Sequence, residues 1–388
     1  MQGMRYAILA IIVSALASAA AASVGKPPQE DALRPALRSA KAGTLTDAER
    51  AGLIKNPLLP WLDAIQFKQQ IASADTARAQ ALIKTDPDQP SSIWLIGQWR
   101  SELIKRQDWP AAAAWLAQYP DDSAGSRCVV LLATDPQARD AAWRQNVLAL
   151  WINEIKLPAH CNALFLALQQ TGALADAEAW QRFDRLLAED AFAAMNDTVA
   201  FMSANNASLA KSYLAFLNAA AGSSTDWPLD ARSRSVIGKG LQTLARKNPD
   251  LAETRLAELY TRFSLLPEQR AAVLSEIALW SMVEYQAIGE TRFFAVPEAQ
   301  RSANLREWYL RWNFSRNDDA KTLAAFGQLL PTQTEEPRWR YFKARVLERS
   351  GNRAEAIPLY RKAAQTPGYH GWMAAERSGE AYAFCPLQ

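Results

Sequence analysis

The chain has 388 residues, of which 49% are hydrophobic and 21% charged, a globular composition and not a disordered one. Alanine fills 73 positions and glycine only 16, which favours helix and argues against the glycine-rich strand-to-helix turns of a dinucleotide-binding or barrel enzyme. A formal charge of +3 gives no electrostatic ground for a nucleic-acid partner, and two histidines, His160 and His370, all but exclude a multi-histidine metal centre.

Met1 to Arg5 brings one positive charge, Ala7 to Ala17 an apolar run, and Ser18 to Ser23 small residues with frames such as Ala17-Ser18-Ala19. This is the three-part layout of a secretory signal peptide, so residues 1–22 are expected to be cleaved and the mature protein to be soluble and periplasmic. The competing reading is a retained anchor, since Tyr6 to Gly25 carries no charge; its second half, alanine and serine, partitions weakly into lipid. No later segment is long and apolar enough to span, so no membrane contact is expected beyond the leader. Residues 23–44 read as a flexible segment.

From residue 45 onward the apolar spacing is helical. Leu58, Leu62 and Ile65 follow i, i+4, i+7, and Leu256, Leu259, Tyr260 and Phe263 follow i, i+3, i+4, i+7. Sustained alternation of period two is hard to find, so no substantial sheet is expected. Asp86-Pro87, Asp135-Pro136 and Asn248-Pro249 each set a capping side chain before a proline suited to a first helical turn. Short helices joined by tight turns over so long a chain predict an all-α fold, an α-solenoid of helical hairpins. A polar break at Thr332-Gln333-Thr334 separates a block 45–330 from a block 331–388. In the second block Trp339, Phe342, Val346 and Leu347 form one stripe, Gly351-Asn352 breaks the chain, and Ala354, Ile357 and Tyr360 continue on a second helix. That order resembles a tetratricopeptide hairpin.

Cys128 and Cys161 stand 33 residues apart, each beside an apolar helical run. Two readings are open from spacing alone: a disulfide stapling neighbouring helices in an oxidising compartment, or two buried free thiols. Cys385 has no evident partner and reads as free or intermolecular. Trp94, Trp99, Trp109, Trp115, Trp143, Trp151 and Trp180 fall in predicted helices, where they either stack on sugars or, the reading favoured, fill gaps between alanine-rich helices. A second candidate surface is the arginine and aromatic stretch that begins with Arg306, Trp308, Arg311 and Trp312 and continues through Arg316, Arg338, Arg340, Arg345 and Arg349. Such a face grips anionic sugars or peptide carboxylates, or else covers helix flanks with arginine stems.

Four segments in order resemble the soluble lytic murein transglycosylases, over roughly residues 45–382. Asn56-Pro-Leu-Leu-Pro-Trp-Leu-Asp63 is similar to the opening of that family's superhelical region, and Glu102-Leu-Ile-Lys-Arg-Gln-Asp-Trp109 to a following helix. Trp339-Arg-Tyr-Phe-Lys-Ala-Arg-Val-Leu-Glu-Arg-Ser-Gly351 and Gly368-Tyr-His-Gly-Trp-Met-Ala-Ala-Glu-Arg-Ser-Gly-Glu-Ala-Tyr382 resemble its linker domain. The spacing of Cys128 and Cys161 matches the family's paired cysteines, which implies the disulfide. The resemblance implies a ring or horseshoe of short helices over 45–330 and a linker-type domain over 331–388, with Tyr369, Trp372 and Arg377 as the contact surface for a lysozyme-like catalytic domain.

In the family that domain carries a catalytic glutamate before a serine, then a glycine-leucine-methionine-glutamine motif. This chain has no Glu-Ser dipeptide, and Gly240-Leu241-Gln242 is its nearest approach to the second motif. Cleaving a glycosidic bond needs a carboxylic acid kept protonated in a cleft, whereas Glu253, Glu258, Glu276 and Glu284 read as helix-surface charges. No catalytic residue, metal or cofactor is therefore assigned. The expected role is a periplasmic module that binds or positions peptidoglycan glycan strands, or meets a separately encoded catalytic domain or another periplasmic protein. The alternatives are an exported tetratricopeptide-like scaffold for a partner peptide, and an enzyme whose polar constellation the sequence does not reveal.

Overall fold

The structure, a computed structural model, describes residues 28–84, 86–220 and 224–384; the leader assigned to 1–22 and Cys385 lie outside the described residues. Among the described residues there are twenty-two α-helices, four short 3-10 turns and no strand, and the fold is all-α as composition and periodicity lead one to expect. Internal packing divides the chain into two units, one ending at Ala173 and the next beginning at Leu174.

The first unit opens with α1 (Pro28–Ala42), α2 (Asp47–Gly52), α3 (Leu59–Gln69) and α4 (Thr76–Ile83). It continues through α5 (Pro90–Lys105), α6 (Trp109–Gln118), α7 (Ala124–Leu132), α8 (Ala141–Asn153) and α9 (Asn162–Gln170). The flexible segment expected at 23–44 is corrected here: most of it is α1, whose Ala36 and Ala40 are buried with Leu45, Leu53 and Leu62. The buried stripe of α1 includes alanines, and Pro35 with the charges around it hides that face from a periodicity reading. A second core gathers Phe67, Trp99, Leu103, Trp115 and Val129 from α3, α5, α6 and α7.

The second unit runs through α10 (Asp176–Ala188), α11 (Phe192–Val199), α12 (Ala204–Ala219), α13 (Ala231–Ala245), α14 (Pro249–Phe263) and α15 (Pro267–Val283). Next come α16 (Gly289–Ala295), α17 (Ala303–Ser315), α18 (Asp319–Phe326) and the one-turn α19 (Pro331–Thr334). It ends with α20 (Pro337–Arg349), α21 (Arg353–Ala364) and α22 (Tyr369–Ser378). Helices meet partners close by in the chain: α13 packs on α14 and α15, α15 on α17, α20 on α21 and α22. Such nearest-neighbour packing is what separates a helical array from a bundle.

The turns explain how the hairpins close. Gln107, Asp190, Ser264, Tyr285 and Gly351 each follow a helix in the left-handed conformation. The residue after each donates its N–H five positions back: Asp108 to Leu103 at 3.1 Å, Ala191 to Leu186 at 2.9 Å, Leu265 to Tyr260 at 3.2 Å, Gln286 to Ser281 at 2.8 Å and Asn352 to Leu347 at 2.8 Å. This bond satisfies a carbonyl that the helix end would leave bare and reverses the chain in a few residues. In the first of these turns the next residue also caps the following helix, Asp108 accepting from Ala111 N–H at 3.1 Å, and after left-handed Asn317, Asp318 caps α18 in the same way, accepting from Lys321 N–H at 2.9 Å.

Several local expectations shift. Asn248 caps α14 ahead of Pro249 and Asp135 caps a 3-10 turn, but Asp86 accepts from Asp88 N–H in a turn and α5 starts later, at Pro90. The polar break at Thr332–Thr334 is α19, and its buried Gln333 amide donates to Ala303 O at 3.0 Å on α17. The α20 stripe divides: Trp339 and Val346 face α17 and α18, while Tyr341, Ala344 and Leu347 face α21 and α22. On α21 the core position is Ala356, not Ala354, which is exposed.

Two expected outcomes follow from close packing and from a hydrogen-bonded carboxylate. A Cβ at Gly371 on α22 would lie 1.9 Å from the Thr366 carbonyl oxygen, so Gly371→Ala should destabilise the second unit by about 3 kcal/mol or more, measured by urea unfolding. Asp121 accepts from Ser126 Oγ at 2.5 Å, Ser123 Oγ at 2.8 Å and Arg100 at 2.5 Å, and these bonds, led by Ser126, hold its carboxyl below the ordinary 3.8. A carboxyl lowered on folding adds stability above its unfolded value and loses it as pH falls through the folded one. Unfolding followed from about pH 6 to about pH 2 should therefore show an acid-side loss that Asp121→Asn flattens.

Candidate functional site

The arginine and aromatic stretch is split by the fold. Arg306 is buried and donates to the carbonyls of Arg301 at 2.9 Å, Gln328 at 2.7 Å and Glu298 at 2.9 Å, so it ties loop backbone together and presents no charge to a ligand. Trp312 is buried too, its N–H donating to Gln286 O at 3.1 Å. Trp308 and Arg311, two and five residues beyond Arg306 on α17, line a cavity of about 470 Å³.

Helix α20 supplies the opposite wall with Arg338, Trp339 and Phe342, α22 supplies His370, and Tyr285 joins from the left-handed turn after α15. The cavity's charged walls are both cationic. The Arg311 guanidinium carbon lies 5.3 Å from the Trp308 ring centre and 5.7 Å from that of Trp339, and Arg338 lies 4.8 Å from Trp339. Arg338 pairs with Glu307 and, at 2.7 Å, with Glu336; Arg311 reaches Glu307 only at 3.7 Å and is nearly half exposed. Burial, helped by the Arg338 charge, lowers the His370 pKa, so that imidazole is mostly neutral near pH 7.

Trp339 stands apart from the other buried indoles. The N–H groups of Trp99, Trp115, Trp143, Trp180, Trp227 and Trp312 all reach acceptors at 2.9 to 3.3 Å. Trp339 is 4% exposed and its Nε1 has no partner. The sequence marked Arg338 and Trp339 as members of stripes, but nothing in it brought Tyr285 to the same place.

The second candidate surface also divides. Tyr369 and Trp372 are exposed and line an almost wholly apolar cleft of about 500 Å³ with Met373, Tyr382 and Phe384. The segment after α22 folds back here, Trp372 N–H donating to Ala383 O at 2.7 Å. Arg377 does not line the cleft; it pairs with Glu348 at 2.8 Å, the same carboxylate that accepts from Tyr360 at 2.9 Å.

In the first unit Cys128 of α7 and Cys161, just before α9, are disulfide-bonded with Cα atoms 5.4 Å apart, both fully buried. His160 spans the same two segments, its Nε2 lying 3.0 Å from Gly125 O.

The glutamates singled out in the sequence have polar partners in the structure, Glu258 reaching Arg255 only at 3.9 Å. Glu253 pairs with Arg292 at 2.7 Å, Glu276 with Arg246 at 3.4 Å, and Glu284 accepts from Gln286 at 3.0 Å. A groove of about 560 Å³ is lined by Asp184, Asp230, Glu268 and Gln242 among other residues, and there Arg232 clamps Asp184 at 2.6 and 2.8 Å. Wherever a carboxyl departs clearly from its ordinary value among the described residues, at Glu49, Asp121, Asp176, Asp319 and Glu335, it is lowered, the largest cause each time a side-chain hydrogen bond. That is the reverse of what proton donation to a leaving group needs. No group of three or more metal-ligating side chains occurs among the described residues, and no described helix is long and apolar enough to cross a membrane.

The architecture defines the class: an all-helical array of the kind that carries the soluble lytic transglycosylases. A crystal structure of the 70 kDa soluble lytic transglycosylase from Escherichia coli matches with a TM-score of 0.73 and 19% identity, covering 92% of this chain and 58% of that one. An inactive variant of the lytic transglycosylase Slt from Pseudomonas aeruginosa matches with a TM-score of 0.61, 21% identity and the same coverage. In sequence, the soluble lytic murein transglycosylase of Escherichia coli strain K12 is 21% identical over 342 residues, which are 85% of this chain and 52% of that protein. Its Salmonella typhimurium counterpart is 22% identical over the same length. No family model matches the chain. The resemblance read from the sequence thus holds over most of the chain, and the chain spans about half the length of the curated relatives it matches.

The disulfide closes a loop of 33 residues, so replacing both cysteines with serine should cost roughly 3–4 kcal/mol of unfolding free energy. Peptide-mapped thiol labelling without reductant should leave Cys128 and Cys161 unmodified.

Proposed function

We propose that this chain is a periplasmic, peptidoglycan-associated module of the soluble lytic murein transglycosylase type that holds glycan strands and does not cleave them. Residues 45–330 serve as its superhelical part and 331–388 as its linker-type part. The observation that carries the reading is the fold shared with transglycosylases. It is joined to the pairing of Glu253 and Glu276 with arginines and to the lowered pKa of Glu49, Asp121, Asp176, Asp319 and Glu335, the reverse of what protonating a glycosidic oxygen needs. Export fits the leader-like start of the sequence and the Cys128–Cys161 disulfide, a bond that persists in oxidising compartments. The apolar cleft at Tyr369 and Trp372, with Arg377 on the same helix, is the contact surface for a lysozyme-like catalytic domain.

Incubated with insoluble murein sacculi, the purified chain should co-sediment with them and release no anhydro-sugar products above a buffer control. Release of such products would overturn the non-cleaving role, and failure to sediment would overturn the association with the wall.

A further inference from the structure

We infer that the groove along α13, walled by α10 and α15, is a docking site for an extended, basic peptide segment of a protein partner. The site goes beyond the wall-binding reading and does not depend on it. Its floor is one stripe of α13, made of Ala231, Ser235, Gly238 and Gln242, which recur every three or four residues. From Asp230 to Gln242 the stripe runs about 18 Å, the length of about five or six extended residues and too long for a single amino acid. Two ion pairs of 2.6 Å, Arg232 with Asp184 and Lys239 with Asp190, hold α10 and the turn after it beside α13. Leu187 and Ala188 line the groove from α10, and Gln269 and Ala272 line it from α15.

Gly238 marks the middle of the floor as open. Glycine is a poor helix former, so one inside a helix calls for a packing reason or for space. Two residues on, Gly240 has the packing reason, since a Cβ there would lie 2.4 Å from the Phe216 ring. At Gly238 a Cβ would meet only Gln269 Cβ, at 3.9 Å, which is ordinary contact. Alanine would therefore fit the folded chain and favour the helix, and the absent methyl group leaves room for a guest to approach the α13 backbone.

The charges of the lining select that guest. Both cations are engaged inside the fold: Arg232 donates to Asp184 at 2.6 and 2.8 Å and lies 4.2 Å from the Trp180 ring centre, and Lys239 pairs with Asp190. The anions are less fully used. Asp230 accepts from Ser233 N–H through one oxygen, at 2.8 Å, and Glu268 forms no ion pair among the described residues. Gln242 donates to Gly238 O at 3.2 Å, which leaves its own carbonyl oxygen for a guest. Capping and the first turn of α15 suit Asp230 and Glu268, yet neither role cancels the negative charge they turn to the groove. Acceptors and carboxylates over a floor of alanine and glycine fit a lysine or arginine side chain, its stem on the apolar floor and its head at the acidic rim. An anionic guest would meet like charge.

The test is fluorescence anisotropy of the full chain with three labelled, capped pentapeptides in which alanine alternates with lysine, glutamate or norleucine. The lysine peptide should bind at least about tenfold more tightly than the other two, and Glu268→Gln should weaken it about threefold. Gly238→Ala should raise the melting temperature by about 2 °C while weakening binding, and Gly238→Leu should weaken binding at least about tenfold. Gly97→Ala, at an equally open helical glycine away from the groove, should leave affinity unchanged. A merely acidic surface would respond to Glu268→Gln and ignore Gly238, so unchanged affinity in both Gly238 variants overturns the site. So does equal affinity for the three peptides, binding of none, or tighter binding of the glutamate or norleucine peptide.

Discussion

The structure depends on how its tightest hairpins turn. A left-handed residue after the last turn, followed by an N–H that reaches five residues back, satisfies the helix terminus and sends the chain the other way. With the reversal made so locally, the next helix lies against the one just finished, and no long connection is needed to bring distant segments together. Most of the residues that take this conformation are not glycine, and each bears a backbone cost that the packed hairpin offsets. The device accounts for a chain so poor in glycine that still turns often.

Side chains then sort themselves by which neighbour they meet. Helix α20 shows this most plainly, with Trp339 and Val346 turned to the preceding helices and Tyr341, Ala344 and Leu347 to the following ones. A helix covered on two sides leaves a narrow strip for solvent, and the arginines of this region occupy it. Some are drawn inward to hold loop carbonyls, as Arg306 does, and some keep to the rim, as Arg311 does. Two arginines five residues apart on one helix thus have unrelated tasks, and only the packing tells them apart.

Much of this was legible in the sequence. The helical period, the alanine content and the Asn248-Pro249 cap gave the class of fold, and the buried tryptophans filled core as the favoured reading had it. What stayed hidden has physical causes. Alanine on the buried face of α1 carries too little hydrophobic contrast beside charges and Pro35. The stripe on α20 mixes two buried faces, which a single-period reading merges into one. The cavity draws Tyr285, Trp308, Trp339 and His370 from four separate elements, a coincidence no local motif encodes. An indole whose N–H lacks an acceptor is, likewise, a property of three-dimensional surroundings.

The disulfide has a further consequence for how the molecule comes apart. In an array whose members touch only close neighbours, loosening can begin at any weak link and travel outward one hairpin at a time. The bond between Cys128 and Cys161 encloses α8 and joins α7 to the start of α9, with His160 and Gly125 bridging the same seam. Fraying that travels along the first unit meets a covalent stop there, so its middle is the place where that unit keeps its shape longest.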